Sequence, residues 1–527
     1  MYTLVNVRHL SVGSIILACL VAVLLFAAII GVVAAARKKK HNPSSASKKE
    51  RFSLHSLVPP DPLPVEARGV TGRGRAGLHT SMLDPAFATS TNTTTNAANK
   101  RPAEFIEVYA DNNATTPLFQ EVIEVLVQSY VNFYANASSI HAAGKKSSEA
   151  LENSREVIAS LIGARPEEMY FTSGATESNN LAIRGLMRVA LSPAFSSFLN
   201  NNETDNNEDE LSLSRLQRVL KRDREHRQNK KGVKHKIVTT PIEHASVYET
   251  AATIDPEIEI LHVNVDRKGK IDLAHFTELV DDPEVAMACI IMANNEIGTI
   301  QDVHRLSKIC KKKGVHFHCD MTQVFGKYIV DLKSLGPDSA TMSAHKFHGP
   351  KGVGALYVKQ GAWIDNTCMT GGSQEGALRA GTENVSGVCG MAAALQKCHA
   401  LIAVGRDNEV RQMRDKIRRT LLSKIPGMLV NGDSESGMYN TLSICLPDVN
   451  SRKLIPMLDE HGVYVNTGCA CSKGQGSATL KALGLSEKYI NGSLRISLGF
   501  MTTEEECEHL CKVMLDALSR MQTNKAS

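Results

Sequence analysis

Several polar residues that could do chemistry stand directly after short apolar runs. Asp320 and Gln323 follow the run 314–319, and Lys346 ends the stretch 343–346, shortly before a Gly-Pro turn. Open α/β sheets bind ligands at the carboxyl ends of their strands, so we expect these side chains to share one site. A lysine that forms a Schiff base and a carboxylate that keeps a pyridine nitrogen protonated are what pyridoxal 5'-phosphate (PLP) requires. Lys346 taken by itself also fits an ordinary surface lysine.

A second group of residues could bind a phosphate. Residues 168–171 have the composition of a strand, 172–180 are rich in hydroxyl and amide side chains around a glycine, and an apolar helical run covers 181–189. A glycine turn that opens a helix offers free amides and a favourable dipole to a phosphate dianion. The amide of Ala175 and Thr176 are the candidate ligands. A capped turn without a ligand fits the same residues.

Two further predicted strands also end in polar residues. The run 236–240 leads to His244, and the buried run 288–293 leads to the amides Asn294 and Asn295. A histidine at a strand end is usually a hydrogen-bonded structural residue, but its ring could also lie flat on a cofactor. Polar side chains are costly to bury without partners. A polar residue at every strand end therefore indicates a shared site more strongly than any single motif.

The composition bounds the class of protein. With 527 residues, 43% of them hydrophobic, the chain is long enough for two or three structural units with a large core. The net charge of +5 is small for this length, and the basic segment 215–236 has no interleaved aromatic residues, so we expect no nucleic-acid partner. The twelve cysteines are scattered rather than spaced as a disulfide framework, which indicates reduced thiols in a cytosol-like compartment.

The N-terminal segment carries a membrane signal. After a tail at 1–11, the uncharged run 12–36 would be about 37 Å long as a helix, enough to cross about 30 Å of hydrocarbon. The basic residues 37–40 follow it directly, which places the C-terminal side in the cytosol. We therefore expect a single-pass membrane anchor with the body of the protein facing the cytosol.

Two other segments lack the periodicity of a packed core. Residues 37–104 are basic and rich in Ser and Thr, and are predicted to be a disordered linker. The same composition is typical of transit sequences, so the alternative is import into an organelle (a plastid or mitochondrion) with 1–36 as the leader. Residues 196–234 contain opposed charge blocks and are predicted to be a solvated insertion.

The remaining chain predicts an α/β protein. Alternating strand and helix patterns over 105–400 predict a large domain with a mostly parallel sheet and helices on both faces. Residues 401–527 predict a smaller C-terminal α+β domain, which the segment 105–119 could join.

These motifs resemble those of the cysteine desulfurases, which belong to the class V aminotransferase-like group of fold-type I PLP-dependent enzymes. The resemblance covers about 105–521, is interrupted by the insertion, and implies a fold-type I PLP-dependent transferase with a seven-stranded type of sheet. The motifs that carry it occur in the family's order: Asp111-Asn-Asn-Ala-Thr-Thr-Pro, Thr172-Ser-Gly-Ala-Thr-Glu-Ser, Glu243-His244, Asn294-Asn-Glu-Ile-Gly, Asp320-Met-Thr-Gln323, Ser343-Ala-His-Lys346, Arg379-Ala-Gly-Thr-Glu-Asn384 and Leu494-Arg-Ile-Ser-Leu-Gly499.

The resemblance implies a role for each residue that would bind the cofactor. Lys346 would carry the Schiff base, Asp320 would meet the pyridine nitrogen and Gln323 the phenolic oxygen. His244 would stack on the ring and is a plausible proton shuttle. The phosphate would be bound by Ala175, Thr176, Ser343 and His345.

The resemblance also implies a substrate site and a homodimer. Asn295, which would also contact the cofactor, and Arg495 would hold the substrate carboxylate, Arg495 as a bidentate fork. Thr382 would reach the phosphate bound by the partner subunit.

A cysteine on a glycine-rich loop separates this family from its transaminating relatives. Cys471 aligns with the family's nucleophile, and Lys473 offers a charge that favours the thiolate. Cys469 stands where the family usually has serine, and could resolve a persulfide, form a strained disulfide or do nothing. A Cys-x-Cys metal site has no second ligand pair nearby in sequence, so we expect no metal beyond a transient iron–sulfur contact of Cys471.

The reaction implied is conversion of L-cysteine to L-alanine, with a persulfide on Cys471 that passes to a sulfur acceptor or scaffold protein for iron–sulfur cluster or thio-cofactor assembly. Selenocysteine lyase activity on L-selenocysteine would use the same residues, so the sequence leaves the choice between these two substrates open. A transaminase or kynureninase-type reaction, which needs no Cys471, would also fit the fold, as would an inactive membrane-tethered scaffold.

Overall fold

The computed structural model describes residues 106–191, 234–362, 364–365, 368–467 and 476–526. The predicted tail, membrane run and linker (1–104), almost all of the insertion, and both Cys469 and Cys471 lie outside the described residues.

The strands follow the apolar runs of the sequence closely. In chain order they are β1 (Val108–Tyr109), β2 (Met169–Thr172), β3 (Lys236–Thr239), β4 (Glu259–His262), β5 (Val285–Ile291), β6 (His316–Asp320), β7 (Ser339–Ser343), β8 (Gly354–Val358), β9 (Leu429–Asn431), β10 (Thr441–Cys445), β11 (Val463–Tyr464) and β12 (Ser493–Ser497).

The helices alternate with the strands over the first two thirds of the described chain. They are α1 (Gln120–Asn132), α2 (Ala142–Leu161), α3 (Ala175–Ala190), α4 (Ala245–Ala252), α5 (Leu273–Val280), α6 (Val303–Lys313), α7 (Leu332–Leu335), α8 (Val385–Ala403), α9 (Arg406–Lys424), α10 (Ser451–Asp459), α11 (Ala478–Ala482), α12 (Glu487–Ile490) and α13 (Glu504–Ala526).

The largest sheet has seven strands in the order β2-β8-β7-β6-β5-β3-β4. The pairs from β7 through β6, β5 and β3 to β4 are parallel, and β8 alone runs antiparallel to its neighbours β7 and β2. The sheet is therefore mostly parallel, and the predicted α/β fold class is confirmed. All strands of this sheet except β8 direct their carboxyl ends to the same edge.

Side chains of the central strands alternate between two layers of helices. Ile237 and Met287 pack in one buried cluster with residues of α3 and α4. Val238 and Ala288 point the other way, into the main core, with residues of α5 and α6. This alternation is what a sheet covered on both faces requires, because successive side chains of a strand point to opposite faces.

Two smaller sheets lie apart from the large one. β9, β10 and β12 form an antiparallel sheet in the order β12-β10-β9. β1 pairs in parallel with β11, and Asp111 bridges to Ser497 at the end of β12. The N-terminal strand thus joins the C-terminal part of the chain. The division into domains at residue 400 stays a prediction.

Among the described residues, α8 is the one helix that is long and apolar enough to cross a membrane by length and composition. Most of its apolar stretch (61%) is buried inside the protein, where it packs against α1 and α2. We therefore interpret α8 as a core helix.

Candidate active site

One edge of the large sheet brings together the residues that the sequence singled out. They follow five strands whose carboxyl ends meet there, namely β2, β3, β5, β6 and β7. The residues at these ends are Ala175, His244, Asn295, Asp320 and Lys346.

Asp320 is a buried carboxylate fixed by amide donors. Its Oδ2 accepts a hydrogen bond from Asn179 Nδ2 at 3.0 Å, and its Oδ1 accepts one from the backbone N–H of Thr322 at 3.0 Å. Only 3% of the residue is exposed, and within the described part of the chain no cation forms an ion pair with it. A cationic group of a ligand would supply the ion-pair partner that this buried carboxyl lacks in the described chain.

His244 is held over the same edge by the helix that follows it. The histidine is the N-cap of α4, and its Nδ1 accepts from the backbone N–H of Ser246 at 3.1 Å. Ser246 Oγ lies 2.8 Å from the same nitrogen and accepts from Asn179 Nδ2 at 2.9 Å. Since Nδ1 is the acceptor, a neutral His244 carries its proton on Nε2.

The network continues behind Asp320 into the sheet. Asn179 Oδ1 accepts from His318 Nε2 at 2.9 Å and from Thr341 Oγ1 at 2.7 Å. His318 Nδ1 lies 2.8 Å from Ser339 Oγ. Burial lowers the pKa of His318 to about 3, so the ring is neutral and donates from Nε2. Every polar group of the Asn179 side chain is used, which fixes the position of Asp320.

Lys346 follows β7 in a single 3-10 turn, Ala344–Lys346. Its Nζ donates to the backbone carbonyls of Asn113 at 2.9 Å and Ala114 at 2.8 Å. The segment after β1 therefore holds the lysine amine near the strand ends.

Gln323 lies beside Lys346 and shares an acceptor with it. Its Nε2 donates to the same Asn113 carbonyl oxygen at 2.9 Å, while its Oε1 accepts from Lys327 Nζ. Both Gln323 and Lys327 are buried. The amide N–H of Gln323 thus faces the side on which Lys346 lies.

The start of α3 forms a cradle suited to a phosphate. The first helical hydrogen bond runs from Ser178 N–H to Gly174 O, so the amides of Ala175 and Thr176 have no acceptor within the helix. Gly174 has φ +152, and a Cβ built on it would meet Ser343 Oγ at 3.5 Å. A side chain at this position would fill the space between the helix start and Ser343.

His345 borders the same region and is neutral there. Its Nδ1 lies 3.2 Å from Thr115 Oγ1. Burial and the charges of Lys346 and Lys351 lower the pKa of His345 to about 4, so its ring carries no charge near pH 7. A phosphate dianion nearby would counter these positive charges.

Arg495 lies in β12 and points to the tip of β5. Its Nη1 donates to the carbonyl oxygen of Asn295 at 3.2 Å, and its Nη2 is 2.5 Å from Asp111 Oδ1. The arginine is buried. A buried guanidinium next to Asn295 is the group expected to bind a carboxylate.

The residues that flank 468–475 contact the neighbours of this arginine. On one side, Asn466 Nδ2 donates to Asp111 Oδ2 at 3.0 Å. On the other, Ser477 Oγ donates to Glu296 Oε2 at 2.5 Å, and burial raises the pKa of Glu296. Residues on both sides of the segment that contains Cys471 are thus attached beside Arg495 and Asn295.

Thr382, which was predicted to reach the phosphate of the partner subunit, makes no hydrogen bond to this edge in the described part of the chain. It is exposed, just before α8. Nearby in sequence, Arg379 Nε contacts Glu177 Oε1, in the first turn of α3, at 2.8 Å.

Several buried residues at the site were not assigned a role from the sequence. Asn113 donates from Nδ2 to the Asn295 carbonyl and to Thr441 Oγ1, and so connects Lys346 with the region of Arg495. The signal for Asn113 is its place in the motif that begins at Asp111. Asn179 and Lys327 show no such signal, because their importance comes from side chains distant in sequence.

These features fit PLP. Buried Asp320, without an ion pair in the described chain, suits a protonated pyridine nitrogen. The cradle at Gly174 has room for a phosphate, and Lys346 lies on the same edge. Among the described residues there is also no cluster of three or more groups that could hold a metal ion.

Comparisons with known proteins agree with this geometry. The family model of the class-V aminotransferases matches residues 108–207 and 225–510, which leaves out part of the predicted insertion. The cysteine desulfurase IscS of Methanosarcina thermophila is 34% identical over 418 residues, 79% of this chain and 93% of that protein. The fold and site thus define an enzyme of the PLP-dependent, class-V aminotransferase type.

Solved structures lead to the same group. A NifS-like protein has a TM-score of 0.66 and 33% identity, covering 79% of this chain and all of that one. SspA in complex with cysteine has a TM-score of 0.58 and 25% identity, covering 75% of this chain and all of that one. The chain belongs to the cysteine desulfurase family.

Proposed function

We propose that this chain takes sulfur from L-cysteine, releases L-alanine and carries the sulfur as a persulfide on Cys471. The observation that carries the proposal is the chain of contacts through Asn113, which connects the Lys346 amine to Asn295 and Arg495. The amine that would form the Schiff base and the guanidinium that would bind a carboxylate are thereby linked through two residues, Asn113 and Asn295, as suits a small amino acid. SspA, a structural neighbour, was solved in complex with cysteine.

Different residues of the chain would bind the substrate and transfer its protons. PLP, when bound, supplies the electron sink that labilises bonds at the substrate's Cα and Cβ. Arg495 and Asn295 bind the substrate carboxylate, and Lys346 Nζ takes the α-proton. His244, with its proton on Nε2, is the second group that would move a proton. Asp320 would hold the pyridine nitrogen of bound PLP in its protonated form.

Sulfur transfer requires a nucleophile from the chain. The Cys471 thiolate forms a bond to the substrate sulfur as the Cβ–S bond breaks. The electron pair of that bond remains with Cβ, which takes up a proton to become the methyl group of alanine. The persulfide then passes to a thiol of an acceptor or scaffold protein.

The direct experiment supplies L-cysteine to the purified chain and measures alanine and protein-bound persulfide. Equal amounts of both in the first turnover support the proposal. L-Selenocysteine is the alternative substrate, and a turnover much faster with it than with L-cysteine would assign the chain as a selenocysteine lyase. Formation of keto acid instead of alanine would contradict both.

We also propose a homodimer. Supporting this, α1 and the two residues after it present a row of exposed apolar side chains at helical spacing, which a second copy could cover. These are Ile123, Val127, Tyr130, Val131 and Tyr134. Sedimentation of the chain and of its Val127→Asp variant tests this, since the charge should convert a dimer to a monomer.

The location of the protein is a further proposal. The uncharged run 12–36 and the basic residues 37–40 support a single-pass anchor with the enzyme on the cytosolic face. Reduced thiols, which Cys471 chemistry needs, are maintained there.

A further inference from the structure

Lys327 is a buried lysine for which the reaction outlined above has no use. It is 5% exposed, and its Nζ donates to Asn113 Oδ1 at 3.1 Å and to Gln323 Oε1. Within the described residues no carboxylate forms an ion pair with it. A lysine buried without an acid is costly to keep charged, so a position like this requires an explanation.

The charges around Lys327 favour its neutral form. Burial lowers the pKa of Lys327 well below its usual value, and the positive charges of Lys346 and Arg495 lower it further. A neutral amine still has two N–H donors, and the two amide oxygens that it contacts use both of them. The side chain thus acts as a donor.

Because Lys327 donates hydrogen bonds, the oxygen of the Gln323 amide faces it and the nitrogen faces away. In the structure Gln323 Oε1 faces Lys327 Nζ and accepts one of its N–H groups, and the other N–H is given to Asn113 Oδ1. Gln323 Nε2 is then turned to the opposite side, where it shares the Asn113 carbonyl oxygen with Lys346 Nζ.

The side-chain amide of Asn113, which also contacts Lys327, is held in one orientation. Its Nδ2 donates to Asn295 O and Thr441 Oγ1, and its Oδ1 accepts from both Lys327 and Asn440 Nδ2. The orientation of this amide is therefore fixed by four partners. Lys327 is thus held in place and presents its second N–H to Gln323.

We propose that Lys327 is a positioning residue that keeps the N–H of Gln323 directed at the phenolic oxygen of PLP. This inference rests on the proposed function, because it takes PLP to be bound at Lys346. A hydrogen bond donated to the phenolic oxygen stabilises its anionic form and so lowers the pKa of the neighbouring linkage to lysine. Loss of the orientation should raise that pKa.

The test is a pH titration of the visible absorbance band of the PLP-loaded protein. In the Lys327→Met variant the pKa of the band should rise by about one unit, as should that of Gln323→Leu. In the double variant the rise should equal that of Gln323→Leu alone, because Lys327 acts only through Gln323. Lys312→Met, which removes an exposed lysine of α6, is the matched control and should leave the band unchanged.

Two results would overturn the proposal. One is an unchanged pKa in Lys327→Met. The other is a shift that adds in full to that of Gln323→Leu, since Lys327 would then act through its own charge. If Lys327→Met does not fold, Lys327→Gln replaces it. The glutamine side chain is neutral and keeps an N–H donor, so the pKa of the band should stay near that of the parent. A rise of that pKa as large as in Gln323→Leu would contradict the proposal.

The readout separates this inference from the proposed function. The band requires bound PLP but no sulfur transfer, so the titration is informative even if the parent chain forms no alanine from cysteine. A parent chain that forms no lysine-linked band at all would contradict PLP dependence, and the positioning role with it.

Discussion

Buried Arg495 and half-buried Asp111 form an ion pair, with Nη2 and Oδ1 2.5 Å apart, that joins β12 to the segment after β1. The same guanidinium donates to the Asn295 carbonyl oxygen. Asp111 therefore fixes the plane of a group that has five N–H donors, of which a substrate carboxylate needs two. A guanidinium fixed in this way loses little entropy when it binds the substrate.

Arg495→Lys should weaken cysteine binding. Lysine keeps the charge but not the fork, so we expect kcat/KM to fall about 10- to 100-fold, the effect of losing about 1.5–3 kcal/mol from a charged hydrogen bond. Most of the change should appear in KM, because the carboxylate is bound before and during the reaction. Arg418→Lys, at a pair with the exposed Glu435, is the control. An unchanged KM for Arg495→Lys would place the carboxylate elsewhere.

Lys346→Ala should abolish the linkage to the cofactor without unfolding the protein. The lysine amine donates to two backbone carbonyls, and one of them, that of Asn113, also accepts from Gln323, so loss of the side chain should cost little stability. Borohydride reduction followed by mass measurement checks this prediction. The exposed Lys351 gives the control variant Lys351→Ala, which should still be labelled. Reductive labelling of Lys346→Ala at the level of the parent would reject the assignment.

The two cysteines of the 468–475 segment should differ in effect. Cys471→Ser should stop persulfide formation from cysteine while leaving the spectral change on cysteine binding, since the thiol acts after the substrate is bound. Cys469→Ser should reduce turnover much less. Persulfide trapping with an alkylating reagent measures both. If the two variants lose activity equally, the thiols work as a pair.

Glu243 should make stability depend on pH. Burial raises the pKa of its carboxyl to about 8, with Oε1 bound to Thr240 and the Ile291 amide and Oε2 without a hydrogen-bond partner in the described structure. In the unfolded chain the pKa is about 4.3. Between these values the folded state binds more protons than the unfolded state, so the free energy of unfolding falls as pH rises.

Glu243→Gln mimics the protonated acid and should remove this dependence. In urea unfolding of the cofactor-stripped protein, the variant should be more stable than the parent at about pH 8 and closer to it at about pH 5. Glu249→Gln, at an exposed position of α4, is the control. Parallel pH profiles for Glu243→Gln and the parent would show that this carboxyl is ionised in the folded protein at both pH values.

The proposed topology has a simple readout. A body exposed to an oxidising lumen would be glycosylated at sequons such as Asn92-Thr-Thr, Asn202-Glu-Thr and Asn491-Gly-Ser. We expect no glycosidase-sensitive mass shift, and a membrane-bound chain that retains residues 1–36. Recovery of a shortened chain from inside an organelle would replace the anchor by an import signal.

Sequence patterns predicted the residues at the strand ends well, because a buried strand and a following turn are both local signals. The start of α3 was predicted too late, at 181 instead of Ala175, since its first turns are polar. Ser178 and Asn179 are nevertheless fully buried there, because they bond to Thr172, Asp320 and His318. No local pattern contains those partners, so polar residues buried by distant contacts could not be predicted.

The burial of Lys327 also could not be predicted from the sequence, because one of its contacts is distant in sequence. It follows Gln323 by four residues, and in the sequence nothing distinguishes it from the exposed lysines of α6. It contacts Asn113, which lies in the turn after β1, more than two hundred residues earlier.

The position of Asn179 has a consequence for how the protein can fold and evolve. One face of β6 presents His316, His318 and Asp320, three polar side chains in the middle of a buried sheet. Until α3 docks, Asp320 and His318 lack the amide that satisfies them, so the centre of the sheet and this helix must become ordered in one cooperative step. A carboxamide supplies two donors and a shared acceptor within one short side chain, a combination that a hydroxyl or a carboxylate cannot reproduce. A lineage that changed Asn179 would therefore have to alter its partners on β6 and α4 together, so the requirement to satisfy Asp320 also restricts which sequences this helix can accept.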